Sequence, residues 1–119
     1  LLERYARLLA PLAPAVRVLD RRDDDSFLMA VVRVRAELRD AIRSAMAQAG
    51  VATSVHYPSL ARHPMFGAPD APGAHCADAD LELVTLPTWI GMSSAEQERV
   101  ASALARAFDE AGGRAASAH

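Results

Sequence analysis

The chain's 119 residues, 12.7 kDa in all, suffice for one compact domain and fall short of two, since domains cluster near roughly 100–150 residues. A hydrophobic fraction of 51% against 24% charged residues is that of a folded globular protein, and few aromatics (one Trp, two Tyr, three Phe) leave its core to Ala, Val and Leu. All 13 basic residues are arginine, a bias we ascribe to GC-rich coding; with a formal net charge of −2 and a pI near 6.1 no basic field is available for phosphates, and a nucleic-acid partner is not expected.

At the start, Leu2, Tyr5, Leu8, Leu9 and Leu12 recur at the spacing of one helix face, and Pro11 with Pro14 should end that helix near Ala10. Glu3, Arg4 and Arg7 interrupt the apolar positions, unlike the charged start and apolar centre of a secretory signal. With no initiating Met, the sequence is expected to begin inside a longer polypeptide. Residues 16–19 (VRVL) form a candidate short strand. The RRDDD that follows reads as a solvated turn, with an ion site as the alternative, although three consecutive aspartates lack the alternate spacing and glycine of a calcium loop. Residues 27–34 (FLMAVVRV) predict a strand buried on much of both faces. The apolar run within it is the longest in the chain and far below the roughly 20 residues that cross a bilayer, so no membrane partner is expected.

In residues 35–49, Leu38, Ile42, Ala45, Met46 and Ala49 share a helix face, and Gly50 supplies a left-handed cap. Residues 51–56 should form a strand directly afterwards, broken by Pro58, which removes a ladder donor. Residues 57–73 hold four prolines and two glycines and predict an excursion rather than an element; long loops of this kind tend to carry function. The single cysteine, Cys76, excludes an internal disulfide and fits a cytoplasmic setting. Residues 74–82 suggest a short helix and 83–86 a short strand stopped by Pro87. Ser93 with Glu96 is a capping box, which starts the last helix at Ser94 with Val100, Leu104, Phe108 and Ala111 inward until Gly112 and Gly113. The expected order is helix, strand, helix, strand, loop, strand, helix. This is an α+β, two-layer domain with a small, mainly antiparallel sheet and helices on one face. Residues 1–15 form its lead-in helix, 16–113 its body and 114–119 a frayed tail.

Among the polar residues, His56 and Tyr57 stand at a strand end where Pro58 turns the chain out, which presents an imidazole and a phenol to a polar ligand. The alternative is a partly buried strand end whose polar groups are merely satisfied. A metal site is not expected, because only His75 and Cys76 of the group His56, His63, His75 and Cys76 lie close in sequence, and adjacent side chains point apart. Ser59 sits in no G-x-S-x-G elbow, and no phosphate-cradling glycine loop occurs. Trp89 and Ile90 read as core packing or as an interface patch.

Three pieces in order, VVRVRAELRDAIRSAMAQAGVATSVHYP, HPMF and ELVTLPTWIGMSSAEQERVASAL, together resemble the C-terminal small domain of the DegT/DnrJ/StrS-type sugar aminotransferases, which are fold-type I pyridoxal-phosphate (PLP) enzymes. The resemblance runs from Val31 to Phe108. It implies a small domain packed beside a large PLP-binding domain of the same polypeptide, a homodimer at full length, and a reaction that moves an amino group from an amino acid donor to a keto sugar, nucleotide-linked in the expected case. The family's "H-Y-P" stretch lies near the active-site mouth, so the resemblance makes His56, Tyr57 and His63 candidate substrate contacts. It assigns no catalytic residue here: the Schiff-base lysine of such enzymes belongs to the large domain, and this chain has no lysine. The sequence departs from the family at Ser59, Leu60 and Ala61, where many members have "P-L-H", and at Thr88, Trp89 and Ile90. A cyclitol or another ketone is the alternative substrate. A stand-alone binding or interaction module derived from this domain is the alternative function, and an unrelated small ligand-binding domain a third.

Overall fold

The computed structural model describes residues 1–19, 29–60, 63–66 and 79–114. Among them the elements are helix α1 (Leu2–Leu9) with a 3-10 turn at Ala10–Leu12, strands β1 (Arg17–Val18) and β2 (Ala30–Arg33), helix α2 (Ala36–Gln48), a single turn of helix α3 (Ala79–Glu82), strand β3 (Leu83–Leu86) and helix α4 (Ser94–Glu110). The strands form one antiparallel sheet in the order β1-β2-β3. The α+β class, the antiparallel sheet and the helices on one face are as the sequence led us to expect. The charged turn at residues 21–25, Phe27 and Leu28, the first part of the expected 74–82 helix with His75 and Cys76, and the tail beyond Arg114 lie outside the described residues.

Helix positions follow from the apolar periodicity. Leu38, Ile42 and Met46 of α2 are buried against Val100, Leu104, Ala107 and Phe108 of α4, while Tyr5 and Leu9 bring α1 into the same core. Met46, Ile42 and Leu104 are fully enclosed, so truncating any of them to Ala should cost about 2–5 kcal/mol through lost burial and the cavity left behind. At the end of α2, Gly50 adopts φ 76°, the Val51 N–H donates to the Met46 carbonyl (2.9 Å) and the Gly50 N–H to that of Ala47 (3.0 Å). This pair is a Schellman cap, and it buries Val51 over the last turn. Ala49, expected on the inner face, is exposed, because the cap has already turned the chain away there. At α4 the predicted box is present: the Glu96 N–H donates to Ser93 Oγ (3.2 Å) and the Ser93 N–H to Glu96 Oε2 (2.7 Å).

Two expectations need correction. The β2 strand is buried on one face only. Ala30 and Val32, opposite Leu86 and Val84, face the helices; Arg33 on the other face is exposed and Val31, opposite Thr85, is half-buried, because no described helix covers that side. Residues 51–56 do not form a strand. Their only pairing among the described residues is a bridge of Ser54 to Thr85, with hydrogen bonds of 3.1 and 2.8 Å. The Val51 N–H is committed to the helix cap, and Arg43 takes the Thr53 carbonyl and hydroxyl (both 3.2 Å), so too few groups remain for a ladder.

Candidate functional site

The chain leaves the Ser54 bridge along the outer edge of β3 and reaches His56 at the uncovered face of the sheet. There the His56 Nδ1 pairs with Thr85 Oγ1 at 3.1 Å. Thr85 is buried and points away from the helices because its neighbours Val84 and Leu86 point toward them. The His56–Tyr57 peptide is cis, and the two rings meet edge to face with centroids 5.1 Å apart and an interplanar angle of 88°. Three residues beyond His56, the Ser59 N–H donates to the carboxylate of Asp80 at 2.7 Å. Asp80 is buried at the head of α3, where Arg39 of α2 also reaches its carbonyl (2.9 Å). The stretch is therefore fastened on both sides, to β3 and to α3, and Tyr57 stands out between the anchors at 77% exposure.

Beside it lies a depression of about 390 Å³, walled by Met29, His56, Tyr57, Thr85, Pro87 and Thr88 among others. Among the described residues its polar side chains carry an imidazole, a phenol and hydroxyls, its other walls are apolar, and no Asp, Glu or Arg lines it. Neutral donors and acceptors alternating with apolar surface suit a ligand with many hydroxyls on a carbon ring, which offers the same alternation. The surface does not fit PLP by itself: the chain has no lysine to bond the aldehyde, and among the described residues no arginine in the lining meets the phosphate.

Of the three sequence-derived candidates, the structure brings His56 and Tyr57 together and sets His63 apart. His63 closes its own turn, accepting the Met65 N–H on Nδ1 (3.2 Å) and lying against Phe66 with centroids 5.7 Å apart. It does not line the depression. Thr85 and Asp80, which hold the His-Tyr stretch, escaped the sequence reading: they stand 29 and 21 positions from their partners, and a threonine inside an apolar strand gives no signal of its own. Of the two readings of Trp89 and Ile90, core packing does not hold: they are 48% exposed and fully exposed respectively, carried outward on the turn after Pro87.

The family model described as the DegT/DnrJ/EryC1/StrS aminotransferase family matches residues 1–105. No curated protein matches the chain. Among solved structures, the aminotransferase TlmJ from Streptoalloteichus hindustanus superposes with a TM-score of 0.77 at 24% identity, over 92% of this chain and 30% of its own. NtdA from Bacillus subtilis, solved with bound PMP, gives 0.79 at 24% identity, over 91% of this chain and 27% of its own. DesI, solved with its TDP-sugar product, gives 0.77 at 25% identity, over 99% of this chain and 32% of its own. The chain thus spans about 30% of the length of the structures it resembles.

Proposed function

We propose, from the premise that the chain belongs to the DegT/DnrJ/EryC1/StrS aminotransferase family, that it forms the C-terminal small domain of a PLP-dependent aminotransferase acting on a nucleotide-linked keto sugar. Residues 1–15 lead in from a large domain of the same polypeptide and 16–113 form the small domain. The large domain supplies the lysine and holds PLP, which carries the amino group between an amino acid donor and the acceptor; the full-length enzyme is a homodimer. The observation that carries the reading is the depression at the uncovered sheet face, lined among the described residues by hydroxyls and apolar surface, with His56 anchored on Thr85 and Tyr57 held out beside it. The relatives point the same way, one solved with bound PMP and another with its TDP-sugar product.

In this reading His56 and Tyr57 contact the acceptor sugar, and the Thr85 and Asp80 anchors hold them ready, so that little ordering remains for the moment of binding. His63, on its separate turn, would reach only a ligand extending beyond the depression. No step of the amino transfer is assigned to a side chain of this chain.

The test uses the full-length protein. His56→Ala and Tyr57→Phe should each raise the acceptor KM roughly threefold to tenfold, the effect of one lost hydrogen bond to the ligand. The half-reaction with the amino donor should keep its rate. An acceptor KM unchanged in both variants would refute the site, and a native mass near 12.7 kDa would instead favour the stand-alone module.

A further inference from the structure

One polar contact crosses the core to the edge of this depression. Tyr5 of α1 is fully buried, and its ring alone would fill the space as phenylalanine does. Its hydroxyl donates to the Pro87 carbonyl at 2.8 Å and lies 3.7 Å from Met92 Sδ. Pro87 and Met92 stand at the two ends of the segment 87–92. Within it the Met92 N–H returns to the Trp89 carbonyl (3.2 Å) and Gly91 takes φ 84°, a turn that requires a left-handed residue at its third position. Pro87 and Thr88 of the same segment wall the depression next to His56. One phenol therefore touches both ends of the rim. α1 is itself fixed to α4, since Gln97, a buried side chain, donates to the Leu1 carbonyl (2.9 Å) and Arg4 pairs with Glu98 (2.5 Å).

We propose that Tyr5 is a positioning residue for the rim at residues 87–92: its hydroxyl ties α1 to the Pro87 carbonyl, so that the placement of α1 sets the wall that Pro87 and Thr88 give the depression. The inference rests on the reading of that depression as the acceptor-facing surface. It gives α1 a role besides burial. A shift of the lead-in helix is passed to the rim through a directed hydrogen bond, whereas apolar packing alone would let the two slide.

The experiment is hydrogen exchange and steady-state kinetics on the full-length protein, comparing wild type, Tyr5→Phe and His56→Ala. Tyr5→Phe keeps the ring and its burial. It should speed exchange of the Met92 amide, which closes the rim turn on the Trp89 carbonyl, about tenfold, as expected for losing one buried hydrogen bond, while amides of α2 keep their wild-type rates. The acceptor KM should rise several-fold with the donor half-reaction unchanged. Unaltered exchange at the rim, or faster exchange spread equally over the domain, overturns the proposal. So does a faster rim with an unmoved acceptor KM when His56→Ala raises it. If His56→Ala leaves the KM unmoved too, the acceptor-facing reading fails, and the proposal falls with it.

Discussion

Alkaline pH should destabilise this domain through Tyr5, and the size of the effect follows from where its phenol sits. Burial pushes its phenol up from 10.0 to about 12, because the anion would lose water without gaining a cation. The unfolded chain releases that proton near 10 and the folded chain only near 12, so the folded state binds more protons between the two values and stability falls as pH rises. Below pH 10 the effect is absent. At about 1.4 kcal/mol per pKa unit the full loss is roughly 2–3 kcal/mol. The chain has no lysine, the residue that otherwise dominates alkaline titration, and comparison with Tyr5→Phe separates Tyr5 from the remaining groups. Urea unfolding followed by circular dichroism, at intervals from about pH 8 to about pH 12, measures the slope. Tyr5→Phe should be about 1 kcal/mol less stable at neutral pH, through the unpaired Pro87 carbonyl, and should lack the alkaline loss. The two stability curves then cross between about pH 10.5 and about pH 11. Equal alkaline slopes in the two proteins would refute the reasoning.

Thr85→Val removes the hydroxyl that orients His56 while keeping the strand's shape. Since His56 is exposed and water replaces the partner, unfolding free energy should change by less than about 1 kcal/mol, but the acceptor KM should rise as it does in His56→Ala; a wild-type KM would show the anchor to be idle. Ser93→Ala removes the capping box of α4 and should cost about 1 kcal/mol in urea unfolding. The hydrogen bonds from Ser93, the backbone one first, hold the Glu96 carboxyl below its ordinary 4.5, so the wild type keeps this contribution above that value and loses it as pH falls further. The variant keeps the backbone N–H and loses only the hydroxyl, so its acid dependence should weaken in part, and an unchanged one would leave the backbone N–H as the sole cause.

What was legible in the sequence is what depends on neighbours within one element. The spacing of Leu38, Ile42 and Met46, that of Val100, Leu104 and Phe108, and the Ser93–Glu96 pair each lie within a few turns of one helix, and the structure has them as read. Residues 51–56 failed because a strand is decided by a partner. Val, Thr and Val supply the propensity, but Met46 and Arg43 had already claimed the backbone groups a ladder needs. The site divides along the same line. His56 and Tyr57 were visible as adjacent residues before a proline; Thr85 and Asp80, which give them their geometry, became visible only once the sheet brought distant positions together.

The most conspicuous feature of the composition, arginine without lysine, finds its use away from the depression. Arg4 pairs with Glu98 across α1 and α4, Arg33 with Glu82 across β2 and α3, and Arg114 with Asp109, while Arg39 and Arg43 tie α2 to Asp80 and Thr53. The exposed pairs contribute little individually, at most about 1 kcal/mol each. The guanidinium of Arg43 is spent differently, spanning a side-chain oxygen and a carbonyl at once, which suits its fork and which a lysine amine would not reproduce. Among the described residues, then, Arg4, Arg33, Arg39 and Arg43 cross-link separate parts of the fold, and no arginine lines the depression. This bears on how the proposed substrate would lie. A nucleotide-linked sugar carries its charge on the diphosphate and its hydroxyls on the ring, and an uncharged surface of imidazole, phenol and hydroxyls can satisfy only the second. The ring is therefore the part expected against His56 and Tyr57, with the diphosphate directed off this surface toward cations elsewhere. Binding of the free sugar at the depression should then be nearly independent of salt, whereas binding of the nucleotide-linked form to the full-length protein should weaken as salt screens its phosphates.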